Sequence, residues 1–339
     1  MRTNHQRIDR ILLLSLLVGS SAVAQTENSL KPGRNEVSFE SEGLQLKGHL
    51  YLPADYQEGD QLPGIMVGGS WTTVKEQMAG LYAQKLADQG YATLAFDHRY
   101  YGESEGEPRF LEDPAAKTQD FTNAMSYLAT LPVVDGERTG GMAVCASGGY
   151  MAQSVVQGDQ YDAFAAVVPW FNTQEVVEGF YGGPAGIQRR IDQAQEAQQQ
   201  YENTGQMAYA PTVSDTDSSA AMYGPFTYYL DEDLGKVPNW SDDQFAIASW
   251  EPWLTYRPVA TASQISTPTL IVTSEKAATP QAGQQFYDQL QGPKDIAWME
   301  GGQLDFYYKP EQVDPAVERV AQHFNAYLQE NAPSAQGNK

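Results

Sequence analysis

The feature that most constrains this chain is a rhythm: short apolar runs alternate with helix-period segments along most of its length. Val37 to Phe39 and Leu44 to Leu52 alternate in and out, as an antiparallel hairpin at a sheet edge does. Pro63 to Val67, Tyr91 to Phe96, Gly140 to Val144, Ala163 to Val168, Thr269 to Thr273 and Asp295 to Met299 read as short strands, mostly buried. Between them lie helix patterns: Val74 to Gln89, closed by Gly90, then Ala115 to Leu131, Gly148 to Val156, Thr279 to Leu290 and Val313 to Leu328. Strands that are apolar on both faces need helices on both faces. The expectation is an α/β protein with a mostly parallel sheet sandwiched by helices.

One stretch breaks the rhythm. From about Trp170 to Arg257 the chain is aromatic-rich and helical or irregular, with Ile187, Ile191, Ala194 and Tyr201 marking one weakly amphipathic helix. It reads as a cap inserted between two sheet strands, which divides the chain into a first core part at 25–169, the cap at 170–257 and a second core part at 258–339. Its aromatic side chains either pack the cap or line a pocket beneath it.

Residues 1–24 read as a secretory leader. Arg2, Arg7 and Arg10 precede the apolar run Ile11 to Val18, and Ala22-Val23-Ala24 supplies a small-x-small cleavage pattern. The run falls short of the ~20 residues that span a bilayer, so cleavage after Ala24 is expected rather than an uncleaved anchor. The chain is then exported, to a bacterial periplasm or beyond, with no stable membrane insertion. A net charge of -22, from 43 acids against 21 bases, repels phosphate backbones and excludes nucleic acid as a partner. One Cys and four His are too few for a structural zinc site. The expected partner is a small-molecule substrate or ligand, with neither metal nor organic cofactor. In an oxidising compartment Cys145 has no partner within the chain, so it is either an inert buried thiol or a working one.

Cys145 stands where a strand turns directly into a helix. Ala143 and Ser147, two before and two after it, are both small, as a sharp strand-to-helix turn requires because backbones come close there. A second register centres the turn on Ser147, between Cys145 and Gly149. Here the sequence resembles the α/β-hydrolase superfamily, over nearly all of the chain after the leader. An Asp-x-x-Arg-x-Gly run, Asp135 to Gly140, enters the strand, and in that superfamily the nucleophile follows the Arg by seven residues. From Arg138 that falls on Cys145. Within the superfamily the chain resembles the dienelactone-hydrolase-like group and its uncharacterised bacterial relatives. The resemblance rests on Val74-Lys75-Glu76-Gln77, Gly80-Leu81-Tyr82-Ala83, Gly102-Glu103-Ser104 and Glu107-Pro108-Arg109-Phe110. It implies an oxyanion hole made by the backbone N–H groups of Ala146 and Trp71, with Ser70 second to Trp71, and a Gly68-Gly69 pair that permits the tight turn.

The resemblance also implies an acid after Thr269 to Thr273, where Glu275 stands, and a histidine after the last strand, where Gln303 stands instead. Glutamine cannot accept a proton at neutral pH; it can only orient a water or a substrate group. Of the histidines, His5 lies in the leader, His49 on the hairpin and His323 on the last helix. His98 follows a strand at its carboxyl end, the edge where active sites gather, and is the candidate substitute base; its other reading is a local hydrogen-bonding residue. The helix beginning near Ala146 should lower the Cys145 pKa. The sequence thus supports a hydrolase of an ester, thioester or lactone working through Cys145, with Glu275 in support and an unorthodox base. The alternative is a non-catalytic small-molecule binder on the same fold.

Overall fold

The computed structural model describes residues 30–158 and 160–328; the leader expected at 1–24 lies outside them. Eight strands form one sheet. They are β1 (Gly33–Ser41), β2 (Leu44–Leu52), β3 (Leu62–Gly68), β4 (Ala92–Phe96), β5 (Val134–Val144), β6 (Ala163–Val167), β7 (Thr269–Thr273) and β8 (Lys294–Trp298), in the order β1-β2-β4-β3-β5-β6-β7-β8. β1 pairs with β2, and β2 with β4, antiparallel; the other neighbours are parallel. The β1–β2 turn needs only Glu42 and Gly43, both at positive φ (53° and 81°), the two-residue geometry that matches strand twist. Every residue of β4, β6 and β7 is buried, as parallel strands covered on both faces must be.

The helices are α1 (Met78–Ala87), α2 (Pro114–Thr130), α3 (Ser147–Gln157), α4 (Gln174–Tyr181), α5 (Gly183–Thr204), α6 (Thr227–Leu230), α7 (Trp250–Thr255), α8 (Pro280–Gln289), α9 (Asp305–Tyr308) and α10 (Pro310–Tyr327). α2 starts where Asp113 caps the N–H groups of Ala115 and Ala116, with Pro114 following. α1 begins at Met78, four residues later than the apolar spacing suggests. The reason is local: Thr72 takes a left-handed backbone (φ 64°), and the N–H of Val74 is held by Gln77 Oε1 at 3.0 Å, so Ser70 to Gln77 form a loop. That loop is tied to the end of β4 and to the Gly102-Glu103-Ser104 run through the buried Lys75. Lys75 Nζ reaches Asp97 Oδ2 at 2.8 Å and Glu103 Oε2 at 2.7 Å, and Arg99 holds Asp120.

The topology locates the site. From β3 the chain crosses through α1 to β4 on one side, and from β5 through α3 to β6 on the other. Neighbouring strands whose connections run opposite ways leave a crevice at their carboxyl ends, here between the loop after β3 and the turn after β5. Between β6 and β7 the chain leaves the sheet. This segment holds α4 to α7 and two short strand pairings, Tyr209–Ala210 with Phe245–Ala246 and Val213–Ser214 with Met222–Tyr223. Gly182 (φ 81°) and Gly205 (φ 72°) bracket α5, whose buried residues include Ala194 and Ala197. Phe245 and Trp253 pack on Trp71, with ring centroids 5.0 and 5.1 Å away, so the segment sits directly on the loop after β3.

Candidate active site

Between β5 and α3 the turn is centred on Cys145. Its φ is 57°, a left-handed backbone that costs a non-glycine residue about 1–3 kcal/mol and persists only when its surroundings enforce it. They do. The Cys145 N–H donates to Val167 O (3.1 Å), and its carbonyl accepts from Gly148 N (3.0 Å) and Trp170 N (2.9 Å). Ser147 is the first residue of α3, and its hydroxyl donates to the Gly69 carbonyl. The register centred on Ser147 is therefore not the one adopted: that hydroxyl is a strut between turn and loop. The Gly68-Gly69 pair also has a different purpose from the one expected. Neither residue is left-handed. A Cβ on Gly68 would come within 2.6 Å of Phe121 and 2.7 Å of Ser147, and one on Gly69 within 2.7 Å of Thr73 Oγ1. The pair gives closeness, and Thr72 makes the turn.

The loop after β3 is held from two sides. The Thr72 N–H donates to Glu112 Oε2 (3.2 Å), a buried carboxylate that also takes Lys117 Nζ (2.7 Å), Tyr101 OH (3.1 Å) and Tyr150 OH (2.6 Å). From the inserted segment, Trp240 Nε1 donates to the Thr72 carbonyl at 2.9 Å. So fixed, the loop brings the Trp71 N–H towards the Cys145 sulfur, with the Ala146 N–H approaching it as well. Both expected oxyanion donors stand at the thiol.

Three hydroxyls complete the surroundings. Tyr229 OH donates to Ser70 Oγ at 2.8 Å, and Ser70 Oγ lies 3.3 Å from Tyr307 OH. Gln303 Nε2 donates to Tyr307 OH (3.1 Å) and to Val168 O (2.9 Å), while Gln303 Oε1 accepts from Ala278 N (2.9 Å). Ser70 and Tyr307 therefore each accept a hydrogen bond from behind. Their own protons are left for each other and for the sulfur, which both hydroxyls approach. Above these groups opens a cavity of about 400 Å³ whose lining includes Cys145, Ser70, Gln303, Tyr307 and aromatic rings from Trp170 to Trp253. Both readings of the segment's aromatics hold: Trp250 and Phe245 pack together (4.8 Å), while Trp170, Phe180 and Tyr181 line the cavity.

The model of the X-Pro dipeptidyl-peptidase (S15) family matches residues 42–303, which include the turn, both donor loops and the inserted segment. The chain belongs to the S15 peptidase family. It is a hydrolase of the α/β fold. The uncharacterised protein PA2218 of Pseudomonas aeruginosa is 29% identical over 315 residues, covering 88% of this chain and 82% of that one. The PA2218 crystal structure superposes with a TM-score of 0.78 at 26% identity, over 88% and 95% of the two chains. A thiohydrolase, AneE of Aspergillus aculeatus, is 34% identical over 124 residues, 36% of this chain and 37% of its own. The α/β hydrolase GrgF of a Penicillium species shares the fold (TM-score 0.74, 19% identity, 87% and 99% covered). A dienelactone hydrolase from Anabaena variabilis is also a structural neighbour (TM-score 0.54, 12% identity, 88% and 100% covered).

In this S15-family chain two of the expected site residues stand away from the thiol. Glu275 is exposed, and its carboxylate has no hydrogen bond or ion pair among the described residues. β7 ends at Thr273, Ser274 turns inward to the Gly301 carbonyl, and the next side chain faces solvent. His98 is buried between Phe96 and Phe121, each ring centroid 4.6 Å away, with Nδ1 3.6 Å from Asp120 Oδ2. It does not line the cavity, and burial lowers its pKa. It is a packed residue, not a substitute base. His49 meets Glu36 at 3.1 Å and His323 meets the Pro268 carbonyl at 3.2 Å, both outside the cavity lining. The helix terminus also loses to desolvation at Cys145, which is 5% exposed: burial pushes the thiol above its ordinary range, against the pull of the Ser70 and Tyr307 hydroxyls and two N–H groups. Tyr307, Tyr229 and Glu112 were missed from sequence. Only Tyr307 carried a signal, lying one helical turn after Gln303.

Proposed function

We propose that the protein cleaves acyl thioesters, and activated esters or lactones more slowly, through an acyl-enzyme on Cys145. The observation that carries this reading is the enforced left-handed backbone at Cys145 beside the N–H groups of Trp71 and Ala146. Strain held at one residue, facing two donors suited to an oxyanion, is the arrangement that acyl transfer uses. In the first half-reaction the sulfur attacks the acyl carbonyl, and its oxygen becomes an oxyanion between those N–H groups. The thiol proton passes to the oxygen of Ser70 or Tyr307. That hydroxyl's own proton passes on to the leaving sulfur, and the acyl–sulfur bond of the substrate breaks. Water then cleaves the new thioester, releasing the acid and restoring the thiol. Tyr307 is held well above its ordinary pKa by burial, so it acts as a neutral relay and not as a standing base.

The leaving group chooses among substrates. A thiolate, whose conjugate acid has a pKa near ~8.5, departs with little help. An alkoxide needs a proton, and the amine of a peptide bond needs one more urgently, which a histidine would normally give. With Gln303 in that place, thioesters come first and peptides last, although the family is described by a peptidase. The partial likeness to a thiohydrolase agrees with this order.

The test is hydrolysis of S-phenyl butyrate by the parent and by Cys145→Ala, with mass spectrometry of the parent for a butyryl adduct. The reading requires turnover in the parent, an adduct on Cys145 and loss of both in the variant. Equal turnover in both proteins overturns it. One observation favours a second reading, a non-catalytic binder: the Gln303 amide is fully engaged and the thiol is pushed up rather than activated. Thioester binding by both proteins, with no turnover in either, would select that reading. We also propose that the chain is exported, on the leader pattern at residues 1–24; N-terminal sequencing of protein recovered outside the cytoplasm checks it.

A further inference from the structure

Among the described residues, one charged side chain lines the cavity above Cys145, and it is a cation. Arg190, from the second turn of α5, lines it; no Asp or Glu does. That is unusual in a chain with 43 acids and 21 bases, where Arg99, Arg138 and Arg319 each hold a carboxylate. Arg190 has no acid partner among the described residues. Its Nη1 donates to the Tyr181 and Gly186 carbonyls (3.0 and 3.2 Å), while Nη2 and Nε have no protein acceptor among the described residues. Arg109 and Arg257 also lack acids, but they engage both Nη atoms with oxygen acceptors.

The guanidinium is held in place all the same. Its carbon lies 5.6 Å from the Tyr181 ring centroid and 5.3 Å from that of Trp250, both rings of the inserted segment. Those rings and the two carbonyls fix the plane of the fork and shield part of it from water. A half-buried guanidinium with unused donors is suited to two parallel bonds from a carboxylate, and the low dielectric around it strengthens such a pair.

We propose that Arg190 is the anion-recognising element of this cavity, so that the preferred acyl substrate carries a carboxylate in addition to the bond that is cleaved. The aromatic lining takes the apolar body, the loop after β3 and the turn after β5 take the reacting carbonyl, and Arg190 takes the second acid group. The substrate class is a half-thioester of a dicarboxylic acid, or an acyl chain ending in a comparable anion. This rests on the reading of the cavity as an acyl site.

The experiment compares S-phenyl half-thioesters of glutaric and adipic acid with neutral S-phenyl valerate, in the parent, Arg190→Gln and Arg190→Lys. The quantity read is the ratio of kcat/KM for the better charged substrate over the neutral one. The parent should favour the charged substrate at least tenfold. Arg190→Gln should lower that ratio at least tenfold, mainly through KM, with Arg190→Lys in between. Binding is measured separately, by tryptophan fluorescence, in Cys145→Ala and in the Arg190→Gln, Cys145→Ala double variant, neither of which depends on turnover. If the parent has no activity but Cys145→Ala binds the charged ligand better and the double variant does not, the inference stands and the proposed chemistry falls. A parent without preference in rate or binding overturns the inference. So does a parallel loss on charged and neutral ligands in Arg190→Gln, which would mark Arg190 as a support of α5 alone.

Discussion

Two loops meet at the carboxyl edge of the sheet, and they are built on opposite principles. The turn at Cys145 is strained, and three backbone hydrogen bonds keep it so. The loop after β8 is relaxed: the Gln303 amide has bonds on both its ends, and it leads into the one-turn helix α9 that carries Tyr307. On the proposed reading, the first loop supplies the electrostatic half of acyl chemistry, and the second holds an amide where the family resemblance implies the proton-transferring histidine. The difference teaches that the two halves are separable. Oxyanion stabilisation depends on backbone placed by the fold, whereas proton transfer depends on one side chain and can pass to neighbouring hydroxyls.

That comparison can be broken most decisively at the hydroxyls. Tyr307→Phe together with Ser70→Ala should cost roughly 10²-fold in kcat on S-phenyl butyrate if they relay the proton, the low end of general acid–base effects. A change under threefold would mean that the sulfur works without them. Gln303→His should sharpen it in the other direction. A restored imidazole next to Tyr307 should raise the rate on an oxygen ester about tenfold, and bring in a pH step near ~6.5. The parent, with no imidazole at the site among the described residues, should show no such step, and its rate should go on climbing past the ordinary thiol range because burial raises the thiol pKa. Glu112→Gln tests the loop after β3, which faces the Cys145 turn. It should lower kcat several-fold with KM little changed, by loosening the segment that carries Trp71. It should also lower the melting temperature, since Lys117 would lose its buried counter-ion.

A last prediction concerns stability and not rate. Burial lowers the pKa of His49, His98 and His323, the last to about 4, from the ordinary value of 6.5. Between those values the unfolded chain binds protons that the native state refuses, so stability is intact above about pH 6.5 and falls as pH drops towards about 4. His323 alone accounts for at most ~3 kcal/mol of this. Denaturant melts of His323→Gln should show a shallower loss over that window, and an unchanged slope would contradict the assignment.

The sheet, its covering helices and the Cys145 turn were legible because they rest on periodicity and on spacing within single segments. The small neighbours of Cys145 allowed the turn there, with Ser147 as a second register, and the family resemblance, counted from Arg138, chose Cys145. The Ala146 donor followed from that register, and Trp71 from the family resemblance. What escaped depended on residues far apart in the chain. Tyr229 meets Ser70 because the segment after β6 folds back over the loop after β3, and Tyr307 meets it from the helix after β8. Glu275 was placed by its distance from a strand, and distance along the chain does not say which way a side chain turns after the strand ends. His98 sat on the correct edge, but Phe96 and Phe121 enclose it. Arg190 gave no signal, since a cation in a Gln-rich helix reads as solvated surface until a cavity is found against it.

The sequence has one cysteine, and the fold sets it at the base of the cavity. Any thiol-directed label therefore reports on a single place per molecule, without background. Its rate senses how open the cavity is, and protection by an added compound measures occupancy before any substrate is known. The same isolation leaves the sulfur without a resolving partner in the chain. An oxidant that reaches it would silence the protein until an outside thiol reversed the damage.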